Sequence, residues 1–280
     1  MTEILRFAAF TDSPSGGNPA GVVLDASGLS GAQMQQIAAD VGYSETAFAT
    51  QDGPREFRLR YFSPLAEVAF CGHATIAAGV ALARRNGPGE LRFATAAGEI
   101  AVSTTADNGG HSAALRSAPT RSRPASDAET AQALAALGWA RQDLDPAFPP
   151  HVAFAGNDHL VLAAGTRDRL ASLDYDFPAL KTLMTDRGWT TVQLFWRESA
   201  GVFHSRNPFP VGGVVEDPAT GAAAAALGGY LRALGQVSEP ATFTILQGED
   251  MGRPSKLAVT VTPDDDRVTV AGTAVPLAAP

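Results

Sequence analysis

The stretch from Cys71 to Gly79 reads CGHATIAAG, and a second stretch, from Thr220 to Gly229, reads TGAAAAALGG. Both have helical character but carry small or apolar side chains on nearly every face. A helix without a polar face is buried on all sides, so we expect water to reach neither of them. Small side chains also let a helix pass through the middle of a curled sheet. The two stretches therefore predict two strand barrels, each wrapped around a central helix.

The two halves of the chain repeat the same order of elements. Each half is predicted to run through two strands, a helix, two more strands, a loop, a small-residue helix and about three strands. Gly72 and Gly221 lie 149 residues apart, and the glycines Gly79 and Gly228 each follow them by 7 residues. The agreement of order and spacing indicates an internal duplication.

Three further helices carry start and stop signals. Capping-box patterns of Ser followed three residues later by Gln or Glu open the first two, and a proline opens the third. Each helix ends before a glycine, the residue favoured just past a helix end. The helices are predicted over residues 30–41, 126–137 and 178–187.

The predicted fold class is α+β, with two pseudo-symmetric domains that are each a β-barrel-like curled sheet around a central helix. We expect an N-terminal barrel domain over residues 1–118, with its central helix at 72–86. A linker with one helix is predicted over 119–150. The C-terminal barrel domain is predicted over 151–273, with its central helix at 218–234. The last residues are able to return to the first domain.

Composition narrows the classes of partner and cofactor. The chain has 280 residues and a net charge of −8, which argues against nucleic acid and anionic membranes as partners. One cysteine and five histidines without metal-ligand spacing predict neither an intramolecular disulfide nor a metal site. No phosphate-binding glycine loop is present, so no nucleotide cofactor is indicated. Without a signal peptide or a long apolar run, we expect a cytoplasmic protein.

Five ordered motifs span nearly the whole chain, and together they resemble the PhzF-like family of the phenazine-biosynthesis isomerase. They are Gly17–Leu24, Ser44–Phe48, Cys71–Thr75, Glu216–Gly221, and Gln247–Gly248 with Gly252–Ser255. The resemblance implies a diaminopimelate epimerase-like fold, which proline racemase shares. It also implies a homodimer and an isomerase that needs neither metal nor cofactor. A small anionic substrate is expected.

Glu45, His73 and Asp217 are the candidate catalytic residues. Glu45 begins a strand beside a small apolar face, which suits general acid–base chemistry, although a solvated strand-end glutamate is the simpler interpretation. The resemblance implies that it is the proton-shuttling carboxylate. His73, in the first turn of a central helix, is either a satisfied core histidine or a substrate contact. Asp217 precedes Pro218 and could cap a helix, whereas the resemblance implies that it faces Glu45 across a cleft.

The resemblance also implies a set of substrate-binding residues: Asn18, Ser44, Gly72, Thr220, Gly221, Arg253 and Ser255. Simpler interpretations exist for some of them. Asn18 lies in a Gly-Gly-Asn-Pro turn, where turn chemistry alone explains an asparagine. Arg253 and Ser255 could belong to an ordinary loop. The free N–H groups at the two central helix N-termini are suited to hold carboxylate or enolate oxygens.

Cys71 leaves several interpretations open. Racemases of this fold carry one cysteine at the start of each central helix, and Cys71 matches the first. Asp217 stands at the second position, which excludes a two-thiol racemase. A Cys71–His73 hydrolase dyad is disfavoured, since residues two apart on a helix point in different directions. A small buried residue is the simplest role for Cys71.

We therefore predict a cofactor-independent isomerase that moves a proton on a small carboxylate-bearing substrate, with Glu45 as acid and base. The alternatives are a one-base racemase or epimerase of a small amino or hydroxy acid, and a non-catalytic small-molecule-binding relative. In the phenazine isomerase a serine follows the Asp-Pro-Ala-Thr-Gly motif, whereas Ala222 stands here. We therefore expect weak or no activity on dihydrohydroxyanthranilate.

Overall fold

The computed structural model describes residues 2–107 and 110–278, and the chain divides into two compact units. The first unit comprises residues 1–116 and 271–280, and the second comprises residues 117–270. The C-terminal end of the chain thus belongs to the first unit. Within the described residues, no helix is long and apolar enough to cross a membrane.

The elements of the first unit follow one another as β1 (Leu5–Ala9), β2 (Asn18–Val23), α1 (Gly31–Val41), β3 (Glu45–Gly53), β4 (Glu56–Phe62), β5 (Glu67–Val68), α2 (Gly72–Asn86), β6 (Gly89–Thr95), β7 (Gly98–Asp107) and β8 (Gly110–Arg116). Those of the second unit are β9 (Arg121–Pro124), α3 (Asp127–Leu137), β10 (His151–Phe154), β11 (Asp158–Ala163), α4 (Arg167–Ala171), α5 (Phe177–Arg187), β12 (Trp189–Arg197), β13 (Val202–Arg206), α6 (Gly221–Ala233), β14 (Ala241–Gln247), β15 (Ser255–Val261) and β16 (Val268–Pro276). β16 begins in the second unit and ends in the first.

The first unit is a closed barrel around α2. Its strands pair in the order β1, β2, β3, β4, β6, β7, β8, β16, and β16 pairs with β1 through Phe7 and Pro276 to close the ring. α2 is buried at every position from His73 to Ala83, because its side chains are small enough for the strands to approach it. At Gly79, an added Cβ would lie 3.2 Å from a Val102 methyl carbon and 3.3 Å from the Ala113 Cβ.

The second unit is a curled sheet around α6. Its strands pair in the order β16, β15, β14, β13, β12, β11, β10, β9. Hydrogen bonds from Ser117 N to Val268 O, at 2.8 Å, and from Thr120 N to Asp266 O, at 2.6 Å, draw the two ends of the sheet together. Helices α3 and α5 cover this sheet through an apolar cluster that includes Leu180. The predicted α+β class, with a curled sheet around a central helix in each half, is confirmed.

Both capping boxes are confirmed. The Ser30 hydroxyl accepts from the Gln33 N–H at 3.3 Å, and the Gln33 side-chain oxygen accepts from the Ser30 N–H at 2.9 Å. The helix predicted at 218–234 instead begins at Gly221, because side-chain bonds described below hold residues 217–220 outside it. The segment 119–150 contains the predicted helix and also a strand, Arg121–Pro124, that pairs with β10.

Candidate active site

The first candidate cluster lies in the first unit, where the start of β3 meets the start of α2. The Glu45 Oε2 lies 3.4 Å from the His73 Nε2, and the side chains are only 16% and 7% exposed. The Ser44 hydroxyl lies 3.4 Å from the same ring nitrogen. β3 begins at Glu45 and runs parallel to β2, with Glu45 opposite Ala20. The sequence therefore places this carboxylate at a strand end beside small residues, as predicted.

Asn18 holds the other side of the histidine ring. It begins β2, is buried, and has its amide nitrogen 3.1 Å from the His73 Nδ1. The preceding Gly17 has φ of 67°, and a Cβ there would lie 2.5 Å from the Ala9 carbonyl oxygen. Glycine is the residue that accepts this conformation without strain. The Gly-Gly-Asn-Pro turn thus places Asn18 in the cluster. Asn18 is therefore both part of a turn and a contact of His73.

Cys71 also joins this cluster, and the expectation that it points away from His73 is wrong. Cys71 is the N-cap of α2 with φ of −144° and ψ of 115°, so helical spacing does not apply to its side chain. Its Sγ lies 3.4 Å from the His73 Nδ1 and 3.8 Å from the Nε2. The first cluster therefore combines a carboxylate, an imidazole and a thiol.

The N-terminus of α2 is part of the same cluster. The first intrahelical bond runs from Thr75 N to Cys71 O at 3.0 Å, so the N–H groups of Gly72, His73 and Ala74 have no carbonyl partner within the helix. Such groups carry partial positive charge and favour anionic oxygens. The cluster therefore places a carboxylate and an imidazole beside backbone donors that favour anionic oxygens.

Thr75 and Tyr61 fix this helix start, a role that no sequence pattern indicated. The Thr75 hydroxyl donates to the Cys71 carbonyl oxygen at 2.7 Å. The Tyr61 hydroxyl lies 2.7 Å from the Thr75 hydroxyl and must be the donor, because the Thr75 proton is already used. Burial raises the pKa of Tyr61, which keeps its phenol protonated as this bond requires.

The second candidate cluster lies in the second unit, at the start of α6. The Thr220 hydroxyl donates to the Asp217 Oδ2 at 2.5 Å. The Gln247 amide donates to the Asp217 carbonyl at 2.7 Å, and its oxygen accepts from the Thr220 N–H at 3.2 Å. The N-cap of α6 is Thr220 rather than Asp217, so the helix-capping interpretation of Asp217 is wrong. Gln247, which lies in one of the five sequence motifs, organises this cluster.

The remaining predicted site residues follow Gln247. Gly248 has φ of 77°, and its carbonyl accepts from the Arg253 N–H at 2.9 Å. The buried Ser255 begins β15 opposite Gln247, and its hydroxyl donates to the Arg253 carbonyl at 3.1 Å. Ser255 and Arg253 thus shape the turn that carries Gln247 past the start of α6.

Glu216, next to Asp217, has a structural role that the sequence did not reveal. Its carboxylate oxygens accept from the Arg206 Nε at 3.0 Å and from the Nη2 at 2.5 Å. The other terminal nitrogen of Arg206 donates to the Ala171 carbonyl at 2.6 Å. The two side chains are 10% and 4% exposed, so the pair is a buried, bidentate ion pair that anchors the Asp217 segment.

The structure thus gathers the predicted residues into two sets. Asn18, Ser44, Glu45 and Gly72 surround His73 in the first unit. Asp217, Thr220, Gly221, Arg253 and Ser255 lie around Gln247 in the second unit. That Asp217 serves the same reaction as Glu45 stays a prediction.

Comparison with known proteins agrees with the fold. The chain is 26% identical to a solved PhzF-family phenazine biosynthesis protein of Bacillus anthracis, with a TM-score of 0.87 over 99% of this chain and 98% of that one. A solved probable proline racemase of Agrobacterium radiobacter K84 has a TM-score of 0.65 at 13% identity, over 99% and 91% of the two chains, and shares the fold alone. The chain therefore has the fold of a PhzF-family protein, and the proline racemase shares that fold.

Two curated relatives are named isomerases. The uncharacterized isomerase YddE of Escherichia coli K12 is 33% identical over 98% of this chain and 95% of its own length. The trans-2,3-dihydro-3-hydroxyanthranilate isomerase of Pseudomonas fluorescens is 34% identical over 88% of this chain and 86% of its own length. The family model for phenazine biosynthesis-like proteins, PhzC-PhzF, matches residues 7–279. The chain belongs to this family, and it is an isomerase.

Proposed function

We propose that the protein is a cofactor-independent isomerase that moves a proton within a small carboxylate-bearing substrate, with Glu45 as the acid and base. One observation carries this proposal: the Glu45 carboxylate oxygen lies 3.4 Å from the His73 Nε2 in a nearly buried cluster. A carboxylate held beside an imidazole can take a proton from one carbon and return it to another.

The groups around Glu45 would stabilise the bound substrate and the intermediate enol. The free N–H groups at the start of α2 would hold the substrate carboxylate, and His73, held by Asn18 at 3.1 Å, would hydrogen-bond the intermediate enol. A base and fixed dipoles already in position lower the barrier because little reorganisation is needed during the reaction. Asp217 and Thr220 would help to orient the substrate, which is the role that the family resemblance suggests.

Three further properties belong to the same proposal. The substrate is a small anion, the protein acts in the cytoplasm, and it forms a homodimer. The support for each is the resemblance of the sequence motifs to those of the phenazine-biosynthesis isomerase family.

The substrate test begins with the compound named for one relative. We expect weak or no turnover of trans-2,3-dihydro-3-hydroxyanthranilate, because Ala222 replaces a serine hydroxyl that would pair with a substrate oxygen. Loss of such a bond costs ~1–3 kcal/mol. The Ala222→Ser variant should turn over this compound faster than the wild type. Wild-type turnover equal to that of the Pseudomonas fluorescens enzyme would contradict the expectation.

A one-base racemase is the second candidate, and the Cys71 Sγ, 3.4 Å from the His73 Nδ1, favours it. In this reaction the thiolate would remove and return the α-proton of a small amino or hydroxy acid. The two candidates separate by product: racemisation in deuterium oxide gives a labelled mirror-image acid, whereas isomerisation gives a moved double bond. Loss of racemisation in Cys71→Ser, with Glu45→Gln still active, would establish the second candidate.

A further inference from the structure

The first cluster brings together three donor atoms that bind zinc. They are the Cys71 Sγ, a His73 ring nitrogen and a Glu45 carboxylate oxygen, and all three lie within 4.8 Å of one another. They come from two elements, since Glu45 begins β3 while Cys71 and His73 flank the first turn of α2. The sequence predicted no metal site because the glutamate is remote in sequence from the other two residues.

Two of the three distances between ligand atoms are close to those around one tetrahedral ion. Zinc binds sulfur at about 2.3 Å and nitrogen or oxygen at about 2.0–2.2 Å, which places neighbouring ligand atoms roughly 3.3–3.7 Å apart. The His73 Nε2 lies 3.4 Å from the Glu45 Oε2 and 3.8 Å from the Cys71 Sγ. Small side-chain rotations would therefore be enough to place the three atoms on one ion.

The surroundings already hold these ligands in place. Thr75 fixes the Cys71 carbonyl through two bonds, from its N–H at 3.0 Å and from its hydroxyl at 2.7 Å. Asn18 contacts the His73 Nδ1 at 3.1 Å, and a half-turn of its amide would present an oxygen to an Nδ1 proton. A hydrogen bond to the distal nitrogen is the usual support for a metal-bound histidine.

We propose that the first cluster binds one Zn²⁺ reversibly through Cys71, His73 and Glu45, and that the bound ion inhibits the enzyme. The Cys71 thiol gives up its proton to the buffer when the sulfur–zinc bond forms, and His73 binds through an unprotonated nitrogen. Water fills the fourth position. A sulfur and a nitrogen ligand favour zinc and cobalt over magnesium and calcium. Zinc binding stands independently of the proposed function, whereas inhibition rests on it, because the ion occupies the Glu45 carboxylate.

Cobalt is the direct probe, because a cobalt–thiolate bond produces a charge-transfer absorption band in the near ultraviolet. Chelator-treated wild-type protein, titrated with CoCl₂, should develop this band to one equivalent, and ZnCl₂ should abolish it. Cys71→Ser should lose the band, and its zinc affinity, measured by competition with a chromogenic chelator, should fall at least about tenfold. Far-ultraviolet circular dichroism checks that the variant is folded.

His204→Gln is the matched control. His204 lies 2.8 Å from Glu249 and 2.9 Å from Glu198, so it offers a histidine with carboxylates but no sulfur. This variant should keep both the cobalt band and the zinc affinity. A band that persists in Cys71→Ser, a band lost in His204→Gln, or no one-to-one binding by the wild type would overturn the proposal.

Inhibition by zinc is tested by a separate measurement of turnover. Zinc should stop turnover of a substrate found by screening small carboxylic acids, and a chelator should restore it. The zinc concentration that halves turnover should match the zinc affinity of the wild type, and His204→Gln should be inhibited to the same extent. One-to-one zinc binding without inhibition would remove the inhibitory role. If Glu45→Gln also left turnover intact, the proposed function would fail while zinc binding would stand.

Discussion

Gly248 is the residue on which the turn after β14 depends. Its φ of 77° favours glycine, and a Cβ would lie 2.3 Å from the Arg253 carbonyl oxygen and 2.8 Å from the Pro218 carbonyl oxygen. Both contacts are with backbone, so a clash cannot be relieved by rotating a side chain. The position thus ties the Gln247 turn to the segment that carries Asp217.

Gly252 offers a matched comparison, since its φ is 74° but no atom lies within 4 Å of an added Cβ. Gly252→Ala should lower the free energy of unfolding by about 1 kcal/mol, the conformational cost alone. Gly248→Ala should cost at least about twice as much, because backbone must move as well. Urea unfolding of the two variants measures the difference, and equal midpoints would contradict this account.

The buried Arg206–Glu216 ion pair leads to a second prediction about single residues. Removing one partner of a buried ion pair leaves a charge without compensation, which costs about 3–5 kcal/mol. Glu216→Gln should therefore strongly destabilise the protein. Asp127→Asn removes a partner of Arg141 in a pair whose side chains are 67% and 90% exposed, and should cost under about 1 kcal/mol. Thermal unfolding compares the two, and similar melting temperatures would contradict the difference in burial.

At the scale of elements, strands β11 and β12 share a buried polar network with Asn207, the residue that follows β13. The Thr191 hydroxyl donates to the Asn207 Oδ1 at 2.8 Å and therefore accepts from the His159 Nδ1, also at 2.8 Å. The Asn207 side-chain amide donates to the Gln193 side-chain oxygen at 2.7 Å. The backbone carbonyl of Asn207 accepts from the Asp217 N–H at 3.0 Å. The network thus connects the core of the sheet to the second cluster.

This network makes stability depend on pH. Burial lowers the pKa of His159 to about 3 from its ordinary 6.5, so the folded protein keeps it neutral while the unfolded chain binds a proton. The contribution of His159 is complete above pH 6.5 and is lost as the pH falls from 6.5 toward 3. Between pH 7.5 and 5 this loss amounts to about 2 kcal/mol.

His159→Asn keeps a donor for Thr191 but does not titrate. Its free energy of unfolding should fall less steeply between pH 7.5 and 5 than that of the wild type. His111→Asn removes a histidine that is not buried and should follow the wild-type curve. Chemical denaturation across this range measures the three slopes, and identical slopes for His159→Asn and the wild type would show that His159 does not carry the effect.

The elements that the sequence predicted well are those whose signals are local. Capping boxes at Ser30 and Ser126 fixed two helix starts, and small residues throughout α2 and α6 indicated burial. The start of α6 was misplaced because Gln247, distant in sequence, holds residues 217–220 outside the helix. Strand β9 was missed because Arg-Ser-Arg-Pro has neither apolar alternation nor strong β propensity, and pairing with β10 decides its structure.

At the scale of the whole molecule, the order of the motifs correctly indicated the family, whereas the roles of the site residues stay predictions. The contact of Cys71 with His73 could not be predicted, because it depends on Cys71 lying just outside α2 with extended backbone angles. The Arg206–Glu216 pair and the Gln247 contacts join residues from different elements, so no local sequence pattern indicates them. What a single sequence conveys poorly is this long-range pairing of polar groups.

The central claim is that Glu45 moves the proton, and the Glu45→Gln variant tests it most directly. Glutamine keeps the shape and hydrogen-bonding reach of the side chain but cannot take up a proton, so kcat should fall by a factor of at least about 10³ while substrate binding persists. Glu99→Gln, which alters an exposed carboxylate on β7, should match the wild type. Turnover on the substrate identified by screening gives the answer: near wild-type kcat in folded Glu45→Gln would contradict the account.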